Sequence, residues 1–142
     1  MNAIVSFTPH EIAFALREEN RLRLWIERII LSHHCVPGNI HFIFCSDMYL
    51  SELHTEYLKK DSLTDIITFN YNEGYHISGD IFISIDRVRE NAETFSVDFE
   101  RELQRVMIHG VLHLIGFNDK SDAEIKNMRA AEDASIEMLS SI

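Results

Sequence analysis

The chain has 142 residues, 46% of them hydrophobic, with 13 Lys and Arg against 23 Asp and Glu, for a formal net charge of −10. That length and composition fit one globular domain, residues 1–142, able to bury a core without disulfide or metal staples. They exclude disordered, collagen-like and low-complexity classes.

The longest apolar run, Ile12 to Leu16, is far shorter than the roughly 18–20 residues of a membrane span. The first basic residue is Arg17, so the start lacks the charged region of a signal peptide. No membrane association is expected. Cys35 and Cys45, without an export signal, are expected to be reduced thiols in a cytoplasmic protein.

In chain order, residues 3–7 read as a short strand. Thr8-Pro9-His10-Glu11 has the form of a capping box: Thr as N-cap, Pro at the first helical position, Glu three residues after the cap. Glu19 to His34 reads as a helix, with Leu22, Trp25, Ile26, Ile29 and Ile30 on one face, stopped by Pro37-Gly38. The cationic pair His33-His34 suits the C-terminal end of that helix.

Ile40 to Cys45 is a strand apolar on both sides, which places it inside a sheet covered on both faces. Ser46 to Leu58 reads as a helix and Asp65 to Tyr71 as a strand. Asn72-Glu73-Gly74 is a turn, and Gly79 to Ile85 a further strand. Helices follow over Asp86 to Thr94 and Phe99 to Ile115, the second stopped by Gly116. A last helix opens at Ser121, with Glu124 completing a capping box. Phe14, Trp25, Phe42, Phe44 and Phe69 are core candidates. The whole predicts an α+β fold: a mixed sheet of about four strands packed by about five helices.

The chemistry concentrates in Met107 to Asp119. His109 and His113, four apart on a helix, differ by about 40° around its axis, so both imidazoles project from one face. That geometry suits two ligands on one divalent ion. A glycine at 116 can take positive φ and turn the chain back, and Asp119 can then bring a third ligand. The pattern His-x3-His-x2-Gly-x2-Asp therefore describes a three-ligand site with coordination positions left for water. Asp119 could instead cap the helix that opens at Ser121.

Zinc proteases carry Glu after the first histidine as general base. Here that position is Gly110, which predicts metal chemistry of another kind. Asp65 and Asp80 stand at strand starts; Asp65 could orient a site group or cap a turn. The acidic balance argues against a nucleic-acid ligand unless the bases cluster locally.

The segment His109-Gly-Val-Leu-His-Leu-Ile-Gly-Phe-Asn-Asp119 resembles the signature of the YbeY family of bacterial endoribonucleases. Thr64-Asp-Ile-Ile-Thr-Phe69 and Gly79-Asp-Ile-Phe-Ile-Ser84 are similar to two further segments of that family, in the same order and spacing. The resemblance implies a fold related to the metzincins around the metal helix, and one zinc ion. It also implies single-stranded ribosomal RNA of the small subunit as substrate, in 3′-end maturation and ribosome quality control, with no DNA expected.

On this resemblance His109 and His113 are the catalytic residues, and His109, His113 and Asp119 the metal ligands. Asp119 replaces the family's usual third histidine, and Leu58 stands where the family usually has Arg. Lys59 and Lys60 follow Leu58 and could hold the RNA backbone in its stead or simply form a solvated loop. His54 is a further candidate for substrate contact. A metal-dependent hydrolase of another substrate, or a ribosome-associated binding protein with a structural metal, are the alternatives. Structural zinc takes four protein ligands, so an open coordination position favours an enzyme.

Overall fold

The computed structural model describes residues 3–58 and 65–142. Its elements are β1 (Ile4–Pro9), α1 (Glu19–Ser32), β2 (Val36–Cys45), α2 (Asp47–Leu58), β3 (Ile66–Asn70), β4 (His76–Ser84), α3 (Ile85–Phe95), α4 (Phe99–Ile115) and α5 (Asp122–Leu139). The strands form one sheet in the order β1-β2-β4-β3, parallel between β1 and β2 and between β2 and β4, antiparallel between β4 and β3. This is the mixed α+β architecture expected from the sequence.

Alternation along β2 decides the layers. Ile40, Phe42 and Phe44 are fully buried on the face that meets α1 and α4, with Trp25, Ile29, Ile81, Met107 and Ile108 around them. On the opposite face Cys45 joins Leu50, Leu53 and Ile67 beneath α2. Both faces of β2 are thus apolar because two separate cores need them.

Helix α4 lies close against the sheet, and two glycines permit it. A Cβ on Gly110 would sit 2.9 Å from Ile66 and 3.0 Å from Ile81, and one on Gly79 would sit 2.5 Å from the Phe69 carbonyl oxygen, also crowding Leu114. The buried stripe Leu103, Val106, Met107, Val111 and Leu114 holds the helix there, and the flank next to Val106 carries His109 and His113.

Two local expectations fail. Thr8-Pro9 does not open a helix: both residues belong to β1, and the His10 amide continues the ladder by donating to the Phe44 carbonyl at 2.8 Å. Pro9 is tolerated because it ends an edge strand. Beyond it the chain bends at Glu11, which has φ +55°, and then runs without regular structure, packing Ile12, Phe14 and Leu16 partly buried against the core while Glu11, Ala13, Ala15 and Arg17 face outward. Phe14 packs edge-on against Phe44 and Phe99. A cap contributes about 1 kcal/mol; burying three apolar side chains contributes more.

Pro37-Gly38 also lies inside a strand, not beyond a helix. β2 begins at Val36 and carries a register shift between Pro37 and Ile40. A side chain at Gly38 would collide with the Ser78 hydroxyl. The helix expected to reach His34 stops at Ser32, where His33 caps it and packs on Phe117. The last helix begins as expected: the Ser121 hydroxyl accepts from the Glu124 amide at 3.1 Å, and the Glu124 carboxylate accepts from the Ser121 amide at 3.0 Å.

Candidate metal centre

His109 and His113 stand on the half-buried face of α4, one turn apart. The helix ends at Gly116, whose φ of +127° is open to glycine and strained for other residues. Its amide donates to the His113 carbonyl at 3.1 Å, and the Phe117 amide reaches back to the Leu112 carbonyl at 2.9 Å. This is the paired bonding of a Schellman turn, which satisfies the last helical carbonyls while reversing the chain.

The reversal brings Asp119 over the helix. Its Oδ2 lies 3.4 Å from His109 Nε2 and 3.3 Å from His113 Nε2, and the two Nε2 atoms are 3.1 Å apart. Ligands held about 2.1 Å from a tetrahedral ion stand about 3.4 Å from one another. The donor set and its spacing therefore fit a divalent ion. The rival role for Asp119 is taken by Ser121, whose own hydroxyl caps α5.

His109 is fixed from behind. Its Nδ1 lies 2.6 Å from Glu132 Oε2, and Glu132 Oε1 accepts from Arg105 Nη1 at 2.8 Å. Arg105 Nη2 donates in turn to Asp133 Oδ1 at 2.7 Å. An ionised carboxylate only accepts, so His109 carries its hydrogen on Nδ1 and turns the Nε2 lone pair to the three-ligand centre.

Burial pushes the Glu132 carboxyl up, yet the bonds from His109 and Arg105 outweigh it and the carboxyl sits below its ordinary range. For His109 burial pushes down, and the bond to Glu132 with the charges of Glu132, Asp119 and Asp65 outweighs it, leaving the imidazole raised. Sequence reasoning missed Glu132 and Arg105. The signal was present: Glu132 is a charged residue in the buried stripe Met128, Ser135, Ile136, Leu139 of α5.

A cleft of about 700 Å³ opens beside the centre, with His109 and Asp119 in its wall. Its floor carries Asp65 and Glu102, both raised above the usual carboxylate range. Burial is the main cause for each, and the charge of Asp65 adds to it for Glu102. Asp65 thus belongs to the site's surroundings, whereas Asp80 lies in β4 opposite Phe69.

His54 is buried in α2, with 6% of its surface exposed. Lys59 and Lys60 lie outside the described residues. Many arginines are committed to carboxylates: Arg17 to Glu100, Arg21 to Glu18, Arg87 to Asp47 and Glu90, Arg105 to Glu132 and Asp133. No helix among the described residues is long and apolar enough to cross a membrane.

The sequence profile of endoribonuclease YbeY matches residues 10–140. Endoribonuclease YbeY of Flavobacterium psychrophilum is 51% identical over 135 residues, 95% of this chain and 96% of that protein. Endoribonuclease YbeY of Phocaeicola vulgatus is 49% identical over 116 residues, 82% of this chain and 84% of that protein. Among solved structures, the solution structure of TM1509 from Thermotoga maritima matches with a TM-score of 0.66 at 26% identity, covering 96% of this chain and 89% of that one.

Proposed function

This chain belongs to the endoribonuclease YbeY family and is an endoribonuclease; we propose that it hydrolyses single-stranded RNA with one divalent ion, zinc in the first instance, held by His109, His113 and Asp119. The observation that carries this reading is the convergence of two imidazole nitrogens and one carboxylate oxygen within 3.1–3.4 Å of one another at the edge of an open cleft.

A bound divalent ion supplies Lewis acidity toward a phosphoryl oxygen and toward water. The chain's own residues do the rest. Glu132 fixes the tautomer and plane of His109, and Arg105 holds Glu132. Asp119 keeps 41% of its side chain exposed, which leaves the open side of the centre to substrate. To Lys59 and Lys60 we assign the holding of the RNA backbone.

The residue after His109 takes no part in proton transfer. Gly110 faces Ile66 and Ile81 of the sheet, so the position that carries the base in zinc proteases points away from the centre. No peptidase activity is expected, and casein should survive incubation with the pure protein.

The cellular role we assign is maturation of the small-subunit ribosomal RNA 3′ end and ribosome quality control in the cytoplasm. The family membership supports this reading.

The test couples metal analysis to cleavage of a single-stranded oligoribonucleotide. One equivalent of metal, activity abolished by a chelator and restored by zinc, and loss of both metal and activity in His109→Ala and His113→Ala are expected. Undiminished cleavage after exhaustive chelation would overturn the reading.

A further inference from the structure

The cleft beside the metal centre has an apolar rim that the proposed metal chemistry leaves unused. Phe95, Val97 and Ile125 are 62%, 42% and 49% exposed, and all three line the cleft that contains His109 and Asp119. Helix-end motifs hold both sides of this rim in place. Phe95 is the last residue of α3, and Ser96 follows in the left-handed conformation. The Ser96 amide donates to the Glu93 carbonyl at 3.2 Å and the Val97 amide to the Ala92 carbonyl at 3.0 Å, a second Schellman turn. Ile125 follows directly on the Ser121–Glu124 capping box of α5. The rim is therefore preorganised, which lowers the ordering cost of binding.

Charge decides what can occupy it. Among the described residues, Asp65, Glu102 and Glu132 line the cleft beside Arg105 and Arg129, and both arginines already lie within ion-pair range of Glu132, while Asp119 is taken up by the proposed ion. Away from the ion, a phosphate meets carboxyl groups and arginines that are already paired, whereas an uncharged planar ring meets an aromatic face. The same logic answers the net charge of −10. A chain this acidic gains little from phosphate neutralisation, so a single strand must be held in larger part through its bases.

We propose that Phe95, Val97 and Ile125 form a nucleobase subsite, in which one unpaired base of the RNA lies against the Phe95 ring while the strand's backbone stays at the cleft mouth beside Asp119. This rests on the endoribonuclease reading of the site and adds to it which part of the substrate the cleft takes. It gives a physical reason for preferring single strands, because a paired base cannot leave its stack to reach the rim without an energetic cost.

Metal-free protein removes cleavage from the test. Binding of hexaadenylate is compared with binding of an abasic ribose-phosphate oligomer of the same length, for wild type, Phe95→Ala, Phe95→Trp and a control, Tyr75→Ala, at another exposed aromatic. Phe95→Ala should weaken hexaadenylate binding by roughly 5- to 150-fold, the span carried by one base–aromatic stack, and leave the abasic oligomer unchanged. Phe95→Trp should retain binding, and Tyr75→Ala should match wild type.

Equal loss for both oligomers in Phe95→Ala, or no loss for either, overturns the subsite while leaving the endoribonuclease reading intact. If wild type binds neither oligomer, the reading of the cleft as an RNA site falls, and the subsite with it.

Discussion

Replacing Glu132 by Gln is the most direct probe of how the centre is built. The native carboxylate, 5% exposed, accepts from His109 Nδ1 through one oxygen and from Arg105 through the other. Glutamine keeps the volume but has one accepting oxygen. Its single oxygen goes to the charged Arg105 guanidinium, so its NH2 group faces His109 Nδ1–H and the bond that orients the imidazole is lost. Loss of an orienting partner behind a metal-bound histidine weakens metal binding by about 10- to 100-fold, or about 1.4–2.7 kcal/mol.

A hydrogen bond to a charged group contributes about 1.5–3 kcal/mol to stability. Arg105 keeps Asp133 as a partner, so no charge is stranded. The metal-free variant should still fold, with Tm lowered by about 5–10 °C. Zinc competition against a chromophoric chelator reads the first effect, and thermal unfolding in excess chelator reads the second. Arg105→Met leaves the Glu132–His109 bond in place and should lower zinc affinity less than Glu132→Gln does. Zinc affinity unchanged in Glu132→Gln would refute the argument, whatever happens to Tm.

Asp119→Ala should lose most of the metal affinity, and Asp119→His should retain it, as read by metal titration; metal content unaffected by either substitution would remove Asp119 from the ligand set. The metal-free protein should show a pH window. His109 is raised from 6.5, so its contribution to stability is complete below 6.5 and is lost as pH rises through the raised value. Glu132 is lowered from 4.5, so its contribution is complete above 4.5 and is lost as pH falls through the lowered value. The stability difference between wild type and Glu132→Gln should therefore peak between these two pH values, and a difference still growing toward alkaline pH would contradict the pairing.

Gly110→Ala should change stability by about 0–2 kcal/mol, overpacking against Ile66 and Ile81 being offset by better helix propensity. Gly110→Glu should fail to fold, which circular dichroism would register. Cys45, whose thiol is pushed up to about 12 by burial and then by Asp86 and Asp47, should resist a thiol reagent in native protein at pH 8 and react on unfolding.

What the sequence determined by itself was local or repeated. The apolar stripes of α1 and α4, the alternation along β2 and the capping box at Ser121 are set by residues within a few positions of one another. So are the two histidines one turn apart and the glycine that lets Asp119 turn back toward them. Each depends only on helix or strand geometry, and each was legible before any packing was known. The first capping signal was equally local, and it was overruled, because Thr8-Pro9 pairs with β2 and Ile12, Phe14 and Leu16 pack against the core outside any helix.

Only the tertiary structure decided what stands behind and beside the centre. Glu132 reaches His109 from another helix, across 23 positions of sequence, and Asp65 nears it from the start of β3. The rim of Phe95, Val97 and Ile125 joins the end of α3 to the start of α5. Such neighbours are fixed by how closely α4 can approach the sheet and by where α5 packs on α4. Those distances are set by glycines and core volumes spread over the whole chain, not by spacing along it.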